Sequence, residues 1–137
     1  MIFNPRVSLI ETPRIGDLGT IVRAIELTED GLVIVVGSSD WSVTARFDSH
    51  WGLRVLDEGD LGEFWSECNL THGWCFEVFE GGWNDLEKYR GHYATGKIRR
   101  PREFLFVGRD ECASVLAPAG PVLTELSTAG ELDRRTL

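Results

Sequence analysis

Apolar residues recur at every second position along much of this chain, so the sequence reads first as a series of short strands. The clearest run is 41–47, where Trp41, Val43, Ala45 and Phe47 fall on one face and Ser42, Thr44 and Arg46 on the other. Before it, 20–27 is rich in β-branched residues, Glu29-Asp30-Gly31 has the composition of a turn, 32–36 is continuously apolar, and Gly37-Ser38-Ser39-Asp40 is a second turn. Together these predict an antiparallel meander. Further strands are expected at 51–56, 74–79, 103–107, 111–116 and 122–126, with Gly108-Arg109-Asp110 closing a hairpin. The 74–79 strand carries apolar groups on both faces, which suits a position inside a sheet.

Two helices interrupt the strands. Asp60 followed by Glu63, ahead of Phe64 and Trp65, has the form of a capping box and predicts a helix over 61–68. Asn84 and Glu87 repeat that logic and predict a second helix ending near Arg90 or Tyr93. Pro5, Pro13, Gly16 and Gly19 make 1–19 an irregular, partly extended lead-in, 94–102 reads as a basic linker, and 127–137 as a mobile tail. The expectation is a single domain over 1–137, of α+β class: a curved, mainly antiparallel sheet of seven or eight short strands with two short helices.

Composition narrows the partners. A net charge of -8 and a sequence pI of 4.8 oppose binding to nucleic acid or to an anionic membrane, since affinity for phosphate comes chiefly from Lys and Arg. With 137 residues the chain can bury about two thirds of its unfolded surface and needs no staple. Met1-Ile2-Phe3-Asn4-Pro5-Arg6 has neither the basic run nor the apolar core of an export signal, so a cytoplasmic location is expected. Three cysteines, an odd number, read as free thiols in a reducing compartment. Cys68, His72, Cys75 and Cys112 have loosely metal-like spacing, but one half-motif with a distant fourth ligand falls short of a zinc knuckle, and no metal or cofactor is expected.

Reaction signatures are missing as well. The sequence has no Gly-x-Ser-x-Gly and no Gly-rich phosphate loop, and His50, His72 and His92 fall near turns or helix ends. Asp57, Glu58 and Asp60 are close enough to suggest paired carboxylates, yet a turn followed by a helix cap accounts for them. No catalytic residue is assigned, and the chain reads as a binding protein rather than an enzyme.

What stands out is a charge boundary. Residues 57–87 hold nine acids and no Lys or Arg, and 88–102 hold six Lys or Arg and no acid. Three tryptophans, Trp65, Trp74 and Trp83, lie in the acidic block. Trp41, Trp51 and Trp74 belong to strands and are expected in the core, whereas Trp65 and Trp83 sit beside acids at helix ends, where partial exposure suits an interface anchor. Asp57, Glu58, Asp60, Glu63, Trp65, Glu80, Trp83 and Asp85 are therefore the candidate partner-binding residues. The contrary expectation is that Lys97-Ile98-Arg99-Arg100-Pro101-Arg102 folds back and neutralises the acids.

The order Phe47, Trp51-Gly52-Leu53-Arg54-Val55-Leu56-Asp57-Glu58-Gly59-Asp60-Leu61, Phe64-Trp65, Gly73-Trp74 through Val78, Gly81-Gly82-Trp83, Glu103-Phe104-Leu105-Phe106 and Glu111-Cys112-Ala113-Ser114-Val115-Leu116 resembles small bacterial proteins encoded beside polymorphic toxins. The likeness covers 41–123. It implies an immunity protein that binds and neutralises a cognate toxin in the cytoplasm. Toxin domains that attack nucleic acids are commonly basic, so carboxylates on the inhibitor can mimic phosphate and speed encounter. The alternative is a small-ligand binding module using the interior of the curved sheet.

Overall fold

In the structure, a computed structural model, residues 5–126 are described, and the expected tail at 127–137 lies outside them. Nine strands form: β1 (Arg6–Leu9), β2 (Ile21–Thr28), β3 (Gly31–Gly37), β4 (Ser42–Phe47), β5 (Gly52–Asp57), β6 (Cys75–Glu80), β7 (Arg102–Phe106), β8 (Glu111–Ala117) and β9 (Val122–Glu125). They make two sheets, one of five strands in the order β1-β6-β7-β8-β5 and one of four in the order β2-β3-β4-β9. Every pairing is antiparallel. The class is α+β, as expected from the sequence, with slightly more strands than the seven or eight foreseen and with the sheet divided in two. The additional strand is β1, inside the expected lead-in.

Alternation explains how the sheets meet. Leu32, Ile34 and Val36 of β3 pair with Phe47, Ala45 and Val43 of β4, placing six apolar side chains on one face. They pack against Phe104, Phe106, Ala113, Val115 and Ala117 of the five-stranded sheet. The Phe47 ring lies 5.6 Å from that of Phe104 and 6.0 Å from that of Phe106, and Trp74 lies 5.9 Å from Trp41. Gly31, with φ of +136°, makes the β2–β3 turn, where a Cβ would lie 2.4 Å from the Phe47 carbonyl oxygen. No larger residue fits there.

The five-stranded sheet also buries its opposite face. Val7, Phe76, Val78, Leu105 and Cys112 form a second apolar cluster with Leu61, Phe64 and Cys68 from the segment after β5. That segment is not the expected helix over 61–68. It makes two 3-10 turns, Glu58–Asp60 and Gly62–Phe64, and the residue that caps it is Asp57, whose Oδ2 accepts from the Gly59 amide at 2.9 Å. Leu61 and Phe64, three apart, both turn inward, which the tight 3-10 repeat permits. The two short helices are α1 (Trp83–Glu87), which has Gly82 instead of Asn84 at its N-cap position and ends before the expected Arg90 or Tyr93, and α2 (Thr95–Ile98), within the expected linker.

Phe47→Ala is expected to cost about 3–5 kcal/mol in urea unfolding, because it empties the centre of the inter-sheet core. Phe79→Ala, at a half-exposed site over which Arg6 stacks at 4.9 Å, should cost about 1 kcal/mol or less. Equal losses in the two variants are the result that contradicts this assignment of the core.

Candidate functional site

The eight residues singled out in the sequence separate into two groups. Asp57, Glu58, Asp60, Glu63 and Trp65 lie together on the 3-10 segment that closes over the outer face of the five-stranded sheet. Glu80, Trp83 and Asp85 lie around the end of β6 and the start of α1. The two groups differ in what their charges meet.

Around α1 the acids are already paired. Lys88 reaches Asp85 at 3.0 Å, Arg90 reaches Glu87 at 2.6 Å, Arg102 makes a two-pronged contact with Glu77 at 2.8 Å, and Arg6 lies 3.6 Å from Glu80. Burial works to raise the Asp85 carboxyl, but the Gly81 amide and Lys88 outweigh it and the net shift is downward. The Arg90 hydrogen bond is the main reason Glu87 is also lowered. Trp83 is half-buried, with Nε1 donating to Glu87 and the Arg54 guanidinium 5.1 Å over its ring. This half of the acidic block is paired within the chain, by Arg102 from the run at 97–102 and by Lys88, Arg90 and Arg6 from outside it.

The other half is not. Among the described residues, no Lys or Arg nitrogen lies within 4.0 Å of the carboxylates of Asp57, Glu58, Asp60, Glu63 or Glu67. Five carboxylates thus share one short segment without a bonded cation, and at neutral pH they project a negative field. Trp65 stands among them, 49% exposed, held by its Nε1 donating to the Glu58 carbonyl at 3.0 Å while Asn69 Nδ2 donates to the Trp65 carbonyl at 2.7 Å.

Beneath Trp65 is a cavity of about 450 Å³ between the 3-10 segment and the outer sheet face. Leu61, Phe64, Leu105, Val107 and Cys112 line its walls, and Trp65, Glu58, Leu18 and Arg109 stand at its mouth. Leu18 and the cavity walls were not singled out in the sequence. The legible signal was a large apolar residue at a turn tip, in Asp17-Leu18-Gly19, where solvation favours a polar one. The space between the two sheets, where a ligand interior was expected as the alternative, is instead filled by aromatic rings. A second hollow of about 410 Å³ is bordered by Trp51, Trp83 and Tyr93, but Arg99, Arg54 and Arg90 respectively lie over those rings.

The four residues with metal-like spacing do not converge. Cys75 belongs to the core between the sheets, Cys68 and Cys112 to the cluster on the opposite face, and exposed His72 bonds the Glu67 carbonyl through Nδ1. Among the described residues no three His, Cys, Asp or Glu side chains gather as an ion shell. Burial raises the Cys68 thiol to about 12 and pushes Cys75 and Cys112 up as well, which leaves all three poor nucleophiles.

No family model, curated protein or solved structure matches this chain. Among the described residues no helix is long and apolar enough to cross a membrane.

Glu103 ties the paired half to the sheet. It is 3% exposed on β7, and its two carboxylate oxygens accept from the Trp83 and Asn84 amides at 2.9 and 2.8 Å. It therefore caps α1 from across the fold, where the sequence suggested Asn84 and Glu87. A Cβ on Gly82 would lie 2.5 Å from Glu103 Oε2, so glycine is what permits the approach. Burial raises the Glu103 carboxyl above 4.5, against the pull of the two amides and Arg54. A raised folded value means that the native state holds this proton more tightly than the unfolded chain does. The stability of the parent minus that of Glu103→Gln should accordingly fall as pH climbs from the ordinary glutamate value through the raised one, then level off. Urea titrations across that range check it, and a parent-minus-variant stability that rises with pH contradicts the raised carboxyl.

Proposed function

We propose that this chain is a non-enzymatic immunity protein, which binds a basic toxin domain in the cytoplasm and covers its active site with the acidic face at 57–67. The observation that carries the reading is the set of five carboxylates, without a bonded cation among the described residues, on one short segment with an exposed, hydrogen-bonded tryptophan. Unpaired surface charge of one sign steers an oppositely charged partner and raises the encounter rate. A preorganised aromatic supplies contact area at little cost in side-chain entropy. The resemblance to proteins encoded beside polymorphic toxins points the same way. The interface proposed here centres on Asp57, Glu58, Asp60, Glu63 and Trp65, while Trp83 and Asp85 are engaged in the protein's own contacts and Glu80, exposed, lies 3.6 Å from Arg6.

A second reading, a module for a small apolar ligand, rests on the cavity under Trp65, whose volume falls within the range of ligand pockets. It ranks below the first because, apart from the Glu58 carboxylate, the polar side chains at the mouth are already bonded within the chain: Asn69 to Trp65 and Thr71, and Arg109 to Asp110. Little is left there to orient a polar group.

The test is stopped-flow association with the basic toxin domain encoded beside the chain. Glu58→Lys with Glu63→Lys should slow association by roughly tenfold at low salt and flatten its salt dependence. Glu29→Lys with Asp30→Lys makes the same change in net charge at the β2–β3 turn and should do much less. Equal slowing by both pairs, or none by either, removes the acidic face as the steering surface.

A further inference from the structure

We propose that the cavity beneath Trp65 is an anchor socket for one large apolar side chain of a partner protein, flanked in that partner by Lys or Arg residues that meet the surrounding carboxylates. The inference rests on the acidic-face reading and adds to it the chemistry of the segment that docks.

Leu61, Phe64, Leu105, Val107 and Cys112 give the cavity an apolar wall, and its 450 Å³ accommodates a Leu, Met or Phe side chain with room for partial closure. Its mouth carries two large apolar groups in water: Trp65, 49% exposed, and Leu18, 71% exposed. Neither hangs on a loose segment. Trp65 is held at both its indole and its carbonyl. Leu18 sits on a turn closed by the Thr20 amide donating to the Asp17 carbonyl at 3.0 Å, with Asp17 Oδ1 accepting from the Gly19 amide and the Ser38 hydroxyl, each at 2.8 Å. That turn is joined to the β7–β8 hairpin by the Arg109 amide donating to the Thr20 carbonyl at 2.8 Å. Apolar groups fixed in solvent beside an apolar recess are the arrangement found at interface hot spots, where rigidity spares the entropy of ordering.

Charge complementarity selects the occupant. Apart from the Glu58 carboxylate, the polar side chains at the mouth are bonded within the chain, Asn69 to Trp65 and Thr71 and Arg109 to Asp110, so an uncharged polar ligand finds few partners there. Outside, Glu58 stands at the mouth, and Asp57, Asp60, Glu63 and Glu67 lie on the same short segment as Trp65, all with no cation within 4.0 Å among the described residues, while Arg109, also at the mouth, lies 3.3 Å from Asp110. An apolar recess on a segment with an excess of negative charge fits an apolar side chain flanked by positive charge. A fatty acid or other anionic amphiphile would enter against that field.

Selection of random dodecapeptides displayed on phage against the full chain tests this directly. Enriched peptides should carry one Leu, Met, Phe or Trp between Lys or Arg residues. Synthetic copies should bind roughly tenfold more weakly to Leu18→Ala and to Cys112→Leu, which fills the recess. Leu18 is a surface residue, so its variant keeps the test valid if Cys112→Leu fails to fold. Enriched peptides without the basic flanks, or equal binding by parent and both variants, overturn the proposal. A dansylated undecanoic acid that binds more tightly than every enriched peptide overturns it in favour of a small apolar ligand. The broader reading fails separately: if Leu18→Ala captures the toxin domain as the parent does while the Glu58 and Glu63 reversals still slow capture, the socket falls and the acidic face stands.

Discussion

Strand β7 is apolar on both faces, and a sheet with such a strand at its centre must be covered twice. Phe104 and Phe106 point one way and Leu105 the other, with Val107 just beyond the strand end. The four-stranded sheet covers the first face. The second is covered by the chain between β5 and β6, through Leu61, Phe64 and Cys68. That requirement forces a strongly acidic segment against a hydrophobic surface, and the only tolerable outcome is apolar side chains inward and carboxylates outward. The candidate site is a by-product of this cover. Its carboxylates are exposed because the residues between them are buried, and its cavity is the space that two short 3-10 turns, holding few inward side chains, leave unfilled.

The same sheet face disposes of the other half of the acidic block differently. At the end covered by α1 the inward group is Glu103, a carboxylate that burial would exclude but for two backbone amides aimed at it. Arg54 lies nearby with Nε and Nη2 buried and without hydrogen-bond partners among the described residues. Burial pulls its guanidinium below the ordinary value, and Glu103, Glu63 and Glu87 pull it back. The Trp83 ring beneath it offsets part of the loss of water. Charges here organise the fold rather than face a partner, which is why neighbouring acids in one block divide between internal packing and a free surface.

Ion pairing of the two blocks follows distance along the chain only in part. Asp85 with Lys88 and Glu87 with Arg90 are local, one helical turn apart, and such exposed pairs contribute roughly 0.3–0.5 kcal/mol each. Glu77 with Arg102 is brought about by the β6–β7 pairing and has the more specific two-pronged geometry. Among the described residues no ion pair joins the basic segment to 57–67.

Local sequence determined the strands, because hydrophobic pattern is a property of neighbouring residues: 41–47 announces its two faces by alternation, and 103–107 reads as a strand from its apolar run. It also announced the acidic block and the exposure of Trp65. It misplaced the caps, since the Asp60–Glu63 and Asn84–Glu87 spacings are equally compatible with a capping box and with what formed, an Asp57 cap and a helix start held by Glu103, nineteen or twenty residues away. The division of the nine acids and the recess beneath Trp65 were beyond its reach. Both arise from contacts between segments far apart, Leu18 with the β7–β8 hairpin and the 3-10 turns with the outer sheet face, and residue patterns within one segment carry no record of which other segment will pack against it.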